Sequence, residues 1–212
     1  MGIRHASGAF ILTSNCDIYL GRTVLDVLAR RALETRVVYR AVRTDIKLGA
    51  DQASVDWTLL EDERNHAGRK KTLAPPMYGG GTGDFILLDA DSYRALRGFN
   101  EVYRVARIGL DYNFLVKAHS NGYRIADIGG PVYHVNHTGS FRLMRGQFQG
   151  REQEAPWGDS RWPAASVTYA NPDGWGLAFA PTRDLDGRTW IDFDWSAVPP
   201  LVDLKRVVLP AR

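Results

Sequence analysis

The sequence is poor in cysteine and lacks long apolar runs. Cys16 is its only cysteine, which excludes an internal disulfide and a zinc site built from cysteines alone. No stretch reaches the roughly 18 consecutive apolar residues that a membrane helix needs. The N-terminus also lacks the basic segment and apolar core of a signal peptide. These absences predict a cytoplasmic protein with no transmembrane segment.

Concentrated positive charge is missing as well. The formal net charge is only +3, and the longest basic run is Arg69-Lys70-Lys71. Nucleic-acid-binding proteins usually carry a dense basic stripe, so we expect no nucleic-acid partner and interpret this run as part of a solvated loop. The 212 residues, of which 44% are hydrophobic and 24% charged, are enough for one packed domain with an appendage.

The most informative stretch runs from Gly8 to Tyr19. Its apolar part, Ala9 to Leu12, is followed by the polar cluster Asn15-Cys16-Asp17. A short apolar run bounded by turn residues predicts a buried strand. Ligands of α/β sheets bind outside the carboxyl ends of the strands, so we expect Asn15 and Asp17 to face a crevice. Asp17 there is placed either to hold a divalent ion or to cap the next helix, and this stretch alone leaves both roles open.

The rest of the first 140 residues alternates between helical and β-rich patterns. Apolar residues at helical spacing predict helices at 23–33 and 110–121, and β-rich runs predict strands at 36–42, 84–88, 123–128 and 132–137. This alternation predicts an α/β fold with a sheet flanked by helices. The long polar connection 43–83 ends in a glycine run, 79–83, which offers either hinge freedom or close backbone approach.

The composition changes after Phe141. Five of the six tryptophans follow position 156, and turn signals separate them: Trp157, Trp162, Trp175, Trp190 and Trp195. We therefore interpret residues 1–140 as one domain and residues 141–212 as a Trp-rich, β-containing appendage. Its tryptophans either hold a small core together or stack on sugar rings.

Several motifs, taken in order, resemble GT-A type glycosyltransferases, in particular the galactosyltransferase-like and N-acetylgalactosaminyltransferase-like members. Asn15-Cys16-Asp17 after its strand resembles the metal-binding DxD motif. The acceptor-side segment of the family is similar to three pieces of this chain: Gly83-Asp84-Phe85, Gly98-Phe99-Asn100-Glu101 and Asp111. The family's C-terminal histidine region resembles Tyr133-His134-Val135-Asn136-His137. The resemblance covers about Gly2 to Ser140 and implies a partial GT-A mixed sheet.

The resemblance implies metal-dependent, inverting transfer of a sugar from a nucleotide-diphosphate sugar to a carbohydrate or other hydroxyl acceptor. Asp17, Asn15 and His137 would bind Mn²⁺ or, less well, Mg²⁺. His134 is the less favoured candidate for the place of His137. The two histidines lie three residues apart and face opposite ways on a strand, so only one of them can point at the metal. With His137 as the ligand, His134 has a buried structural role. Asp111 would be the general base. Gly83 and Asp84 would bind the donor, unless Asp84 only anchors the glycine run.

The sequence also departs from the family pattern. Asn15 replaces the first acid of the DxD motif, and Leu110 stands where a Glu usually precedes the acceptor-side Asp. The nucleotide-binding N-terminal half would lie before Met1, which predicts the second half of a glycosyltransferase, completed by a partner or by homo-oligomerisation at an open sheet edge.

Two other functions are open at this point. One is a non-catalytic remnant that binds a carbohydrate or a partner, and the other is a nucleotidyltransferase. The nucleotidyltransferase would need a Gly-rich loop bearing Lys or Arg near the N-terminus, which the sequence lacks.

Overall fold

A computed structural model describes residues 2–30, 32–47, 55–71, 82–101, 110–135, 171, 173–176, 182–185 and 188–191. The helices are α1 (Gly2–His5), α2 (Arg22–Arg30), α3 (Trp57–Glu61), α4 (Ala90–Ala95) and α5 (Leu110–Ser120), with 3₁₀ turns at Glu63–Asn65 and Thr82–Asp84. The strands are β1 (Phe10–Thr13), β2 (Ile18–Leu20), β3 (Val37–Ile46), β4 (His66–Lys71), β5 (Ile86–Asp89), β6 (Arg124–Val135), β7 (Thr182–Leu185) and β8 (Arg188–Ile191).

Six of these strands form one mixed sheet in the order β1-β5-β3-β6-β2, with β4 paired to the end of β3. The β3–β6 pair is parallel, and the other pairs are antiparallel. β1 and β2 lie four strand steps apart in this order, about 19 Å in a flat sheet. The five residue-to-residue steps from Thr13 to Ile18 can span only about 17 Å. The sheet therefore has to curl, which brings its two ends toward each other around Asn15 and Asp17.

Apolar side chains cover both faces of the sheet. Val38 of β3 packs into a core with Tyr93 of α4 and Phe114 of α5. Its neighbour Tyr39 packs into the opposite core with Val24 of α2. This alternation is what a central strand buried on both sides requires. The predicted mixed α/β architecture with flanking helices is confirmed at this level.

The boundaries differ from the sequence-based expectations in three places. Helix α2 spans Arg22–Arg30, whereas the prediction was 23–33. The two strands predicted at 123–128 and 132–137 are one strand, β6, whose register against β3 shifts between Asp127 and Pro131. Strand β3 continues to Ile46, beyond the end predicted at residue 42.

Part of the predicted appendage packs on the main sheet domain. Trp175 is buried in the core that contains Tyr93 and Phe114, and the guanidinium of Arg4 lies 5.3 Å from its ring centroid. Strands β7 and β8 pair as a separate antiparallel hairpin, whereas Trp157, Trp162 and Trp195 lie outside the described residues. Within the part of the chain that the structure describes, no helix has both the length and the apolar character needed to cross a membrane.

Candidate functional site

The segment that joins β1 to β2 crosses the end of the curled sheet and contacts both halves of it. On the β5 side, Asn15 Nδ2 donates to Asp84 Oδ1 at 3.0 Å, and Ser14 Oγ donates to the Asp84 carbonyl at 2.7 Å. On the β6 side, Asp17 Oδ2 lies 3.1 Å from His134 Nε2. Two residues that are close in sequence therefore reach partners on opposite sides of the sheet end.

Gly83 brings a third element, α5, to the same place. A Cβ at Gly83 would lie 3.3 Å from both side-chain amide atoms of Asn15 and 3.3 Å from Asp111 Oδ2. These separations are tighter than ordinary van der Waals contact, so the glycine hydrogen fills the space between Asn15 and Asp111. The groups that approach the Gly83 backbone closely belong to this chain, and approach to a ligand stays a prediction.

Arg43 of β3 lies between the two sides. Its guanidinium contacts Asp84 Oδ2 through Nη1 at 3.2 Å, Asp45 Oδ1 through Nε at 2.6 Å and His134 Nδ1 through Nη2 at 2.7 Å. A guanidinium has donors only, so Nδ1 accepts from Arg43 when the imidazole carries its proton on Nε2, toward Asp17. With the proton on Nδ1, the partner of that nitrogen is Asp45. Asp45 Oδ1 also lies 3.0 Å from His134 Nδ1, and its charge is balanced by Arg43.

A second arginine on β3, Arg40, lies close enough to Asp84 and Asp111 to interact with their charges. Arg40 is fully buried and donates to the carbonyl of Phe85. Burial lowers the pKa of Arg40 to about 10, and the charges of Asp111 and Asp84 oppose this shift. The guanidinium therefore stays charged at neutral pH and stabilises both carboxylates.

The turn at 98–101 is fixed to α5 by buried polar side chains. Asn100 Nδ2 donates to Asn113 Oδ1 at 2.6 Å, and Lys117 Nζ donates at 3.1 Å to both Asn100 Oδ1 and the Gly98 carbonyl. Burial, together with the nearby charge of Arg97, lowers the pKa of Lys117 to about 8. Glu101 Oε1 accepts from the backbone of Gly176 at 2.7 Å. The turn at 98–101 is thus held from two sides.

Asn15 and Asp17, two of the residues expected to bind metal, both contact other side chains of this chain. Among the residues that the structure describes, no three His, Cys, Asp or Glu side chains group so as to hold one. Asn15 is turned toward Asp84, and Arg43 places a positive charge between Asp84 and the Asp17–His134 pair. His137, the expected third ligand, lies outside the described residues. The imidazole next to Asp17 is that of His134.

The structure thus brings together Asn15, Gly83, Asp84 and Asp111, and it joins Asp17 to them through His134 and Arg43. Sequence reasoning missed Arg40, Arg43 and Asp45. A signal was present for Arg40, a charged residue inside the strand predicted at 36–42, whereas Arg43 and Asp45 fall in the stretch interpreted as a polar connection and belong to β3 only because this strand continues to Ile46. Charged groups in such a strand need partners from neighbouring elements. Comparisons of the sequence with models of known protein families and with curated proteins find no match.

Proposed function

We propose that this chain is a glycosyltransferase of the GT-A type, or its catalytic half, and that it transfers a sugar from a nucleotide-diphosphate sugar to an acceptor hydroxyl. One observation carries the proposal: Asn15, Gly83-Asp84 and Asp111, from three separate motifs, meet at one end of the sheet. That end corresponds to where α/β sheets bind ligands.

Asp111 is the proposed general base. It lies in the first turn of α5, where the positive end of the helix dipole stabilises a carboxylate. The acceptor hydroxyl gives its proton to this carboxylate while its oxygen forms a bond to the anomeric carbon of the donor sugar. The bond from that carbon to the nucleotide diphosphate breaks, and the diphosphate leaves with the electron pair. Direct displacement of this kind inverts the anomeric configuration.

Asp84 and Gly83 have a supporting role in this proposal. The Asp84 side chain is buried, and its two oxygens contact Asn15 and Arg43. These contacts favour the interpretation that Asp84 anchors the end of the glycine run and orients Asn15. Gly83 allows Asn15 and Asp111 to lie against the same point of the backbone. Mn²⁺ or Mg²⁺ dependence is implied by the motif resemblance alone and is tested as a variable below.

The proposal is tested with the purified chain and a panel of labelled nucleotide-diphosphate sugars and sugar acceptors. Each reaction is run in parallel with Mn²⁺ and with a chelator. We expect transfer or slow donor hydrolysis, and we expect Asp111→Asn to lower kcat about 100-fold or more, as loss of a general base does. Nucleotide-diphosphate binding, measured by calorimetry, should stay near the wild-type value.

Asp91→Asn is the matched control, because Asp91 is also an acid in a first helical turn and its side chain is 98% exposed. It should leave turnover unchanged. If the folded wild-type chain turns over no donor in either condition, the enzyme proposal fails, and the non-catalytic alternative takes its place. If Asp111→Asn abolishes donor binding, Asp111 is a donor ligand and not the base.

A further inference from the structure

The side chains at the end of the sheet follow the order of the strands. Asn15 leaves β1 and contacts Asp84, which precedes β5. Asp84 contacts Arg43 of β3, and Arg43 contacts His134 of β6. His134 contacts Asp17, which leads into β2. Since Asn15 and Asp17 are two residues apart, these contacts close a ring of five side chains: Asn15, Asp84, Arg43, His134 and Asp17. We call this set the crossing ring.

Arg43 is the member of the crossing ring that joins its two halves. The Asn15–Asp84 contact forms one half and the His134–Asp17 contact forms the other. Arg43 uses all three of its guanidinium nitrogens, Nη1 toward Asp84, Nη2 toward His134 and Nε toward Asp45. Its side chain is only 16% exposed, so neither water nor salt screens these contacts as they would at the surface.

Only a planar, multi-donor cation can make this set of contacts. The guanidinium has five N–H donors in a fixed fork, whereas the ammonium of lysine is a compact point charge on a flexible stem. Lysine at position 43 would keep the charge but could not hold Asp84, His134 and Asp45 in a fixed relative position. The charge of Arg43 and its shape can therefore be separated experimentally.

We infer that Arg43 is a positioning residue of the site, whose guanidinium sets the relative placement of the Asn15–Asp84 half and the Asp17–His134 half. Its effect on turnover rests on the proposed function. Its effect on the placement of Asn15 and His134 does not, and it is measured separately. Arg43 acts through these side chains and does not itself touch the reacting atoms.

The test compares Arg43→Lys with the wild-type chain by NMR and by kinetics. The first signal is the side-chain amide of Asn15 in ¹⁵N-labelled protein, assigned by its loss in Asn15→Asp. The second is the ¹⁵N pattern of the His134 ring, which reports which nitrogen carries the proton. We expect Arg43→Lys to shift the Asn15 amide and to change the ¹⁵N pattern of the His134 ring. In active protein, kcat should fall about 10-fold or more, with the KM for the donor changed less than about threefold.

Arg124→Lys is the matched control. Arg124 also sits on a sheet strand and pairs with a carboxylate, Glu34, at 2.7 Å, but both side chains are more than half exposed. It should leave both signals and turnover unchanged. A milder variant, Asp45→Asn, keeps an acceptor oxygen for Arg43 Nε and should shift the His134 signals more than the Asn15 amide. It replaces Arg43→Lys in the comparison if that variant does not fold.

Each result decides the inference. Unchanged Asn15 and His134 signals in Arg43→Lys overturn it, whatever happens to turnover. Lost turnover with both signals unchanged would mean that Arg43 contacts substrate directly, which also overturns the positioning role. If the wild-type chain has no transferase activity but both signals respond to Arg43→Lys, the proposed function fails and the crossing ring stands.

Discussion

At the scale of single residues, Gly83 shows how a missing side chain shapes the site. The space that a Cβ would need is bounded by Asn15 on one side and Asp111 on the other, each at 3.3 Å. Alanine would fit only if these neighbours moved by a few tenths of an ångström. Both neighbours are residues to which the proposed function assigns a role, so the cost should appear in activity before it appears in stability.

We therefore expect Gly83→Ala to change the free energy of unfolding by less than about 1 kcal/mol, the usual scale of a Gly-to-Ala change at a tolerated position. Turnover should fall about 10-fold, because small misplacements of reacting groups are costly. Urea unfolding and steady-state kinetics measure the two quantities. Gly2→Ala is the control, since a Cβ there meets nothing within 4 Å. Equal activity in both variants would show that the Asn15–Asp111 spacing does not matter.

At the scale of secondary-structure elements, α5 is tied to the turn that follows α4 by a buried lysine. Lys117 is 2% exposed and reaches across to Gly98 and Asn100. No carboxylate contact to this ammonium is seen among the described residues, so its charge is held by a carbonyl and an amide oxygen. Burying a charge without an opposite charge beside it costs free energy. The burial disfavours the charged ammonium and so lowers the pKa of Lys117 to about 8.

The sign of the resulting pH dependence follows from the direction of this shift. In the unfolded chain Lys117 keeps an ordinary pKa near 10.5, so between about pH 8 and 10.5 the unfolded state binds the proton that the folded state has lost. Stability rises with pH where the unfolded state binds more protons. The contribution of Lys117 to the free energy of unfolding should therefore increase over this window, by up to about 3 kcal/mol.

The measurement is urea unfolding at pH 7, 8, 9 and 10 for the wild-type chain and Lys117→Met. The difference between the two free energies should grow in favour of the wild type as pH rises above 8. Groups that titrate in both proteins cancel in this difference. Lys47→Met, at an exposed position, should track the wild type throughout. A difference that stays constant from pH 7 to 10 would mean that Lys117 titrates normally.

At the scale of the whole molecule, a segment far along the chain forms hydrogen bonds to the backbone of the turn at 98–101 and of Arg97 before it. Asn171 is fully buried and makes three hydrogen bonds to this turn. Its Oδ1 accepts from the Glu101 amide at 2.9 Å, and its Nδ2 donates to the carbonyls of Arg97 and Phe99 at 2.7 and 2.6 Å. Asn171 and residues 173–176 thus pack against the main sheet domain.

Asn171→Ala should lower the free energy of unfolding by about 2 to 4 kcal/mol, because it leaves buried backbone groups of the turn without partners. Amide hydrogen exchange at Phe99 to Glu101 should accelerate more than exchange in the β3–β6 core. Asp173→Asn is the control from the same segment. The Asp173 side chain pairs with Arg97 but is 90% exposed, and exposed ion pairs contribute little to stability. Unchanged exchange at the turn would show that the segment does not support it.

Strand β2 and the charged residues of β3 mark the limit of sequence reasoning at this scale. Helices α2 and α5 and strands β1, β3 and β5 follow from apolar periodicity, which is local and directly readable. Strand β2 has only three residues and is not among the predicted strands, because a strand so short has no period to detect. The alternation that identifies a strand also says nothing about which strand will lie beside it.

The sequence by itself determined the α/β class, most of the long elements, and the candidates Asn15, Asp17, Gly83, Asp84 and Asp111. These depend on residue types and spacings that local physics constrains. Only the tertiary structure decided that β1 and β2 lie at opposite ends of the strand order, so that Asn15 and Asp17 reach Asp84 and His134 on either side of Arg43. Strand order and sheet curl come from long-range pairing, and the partners of a buried charge are known only once that pairing is known.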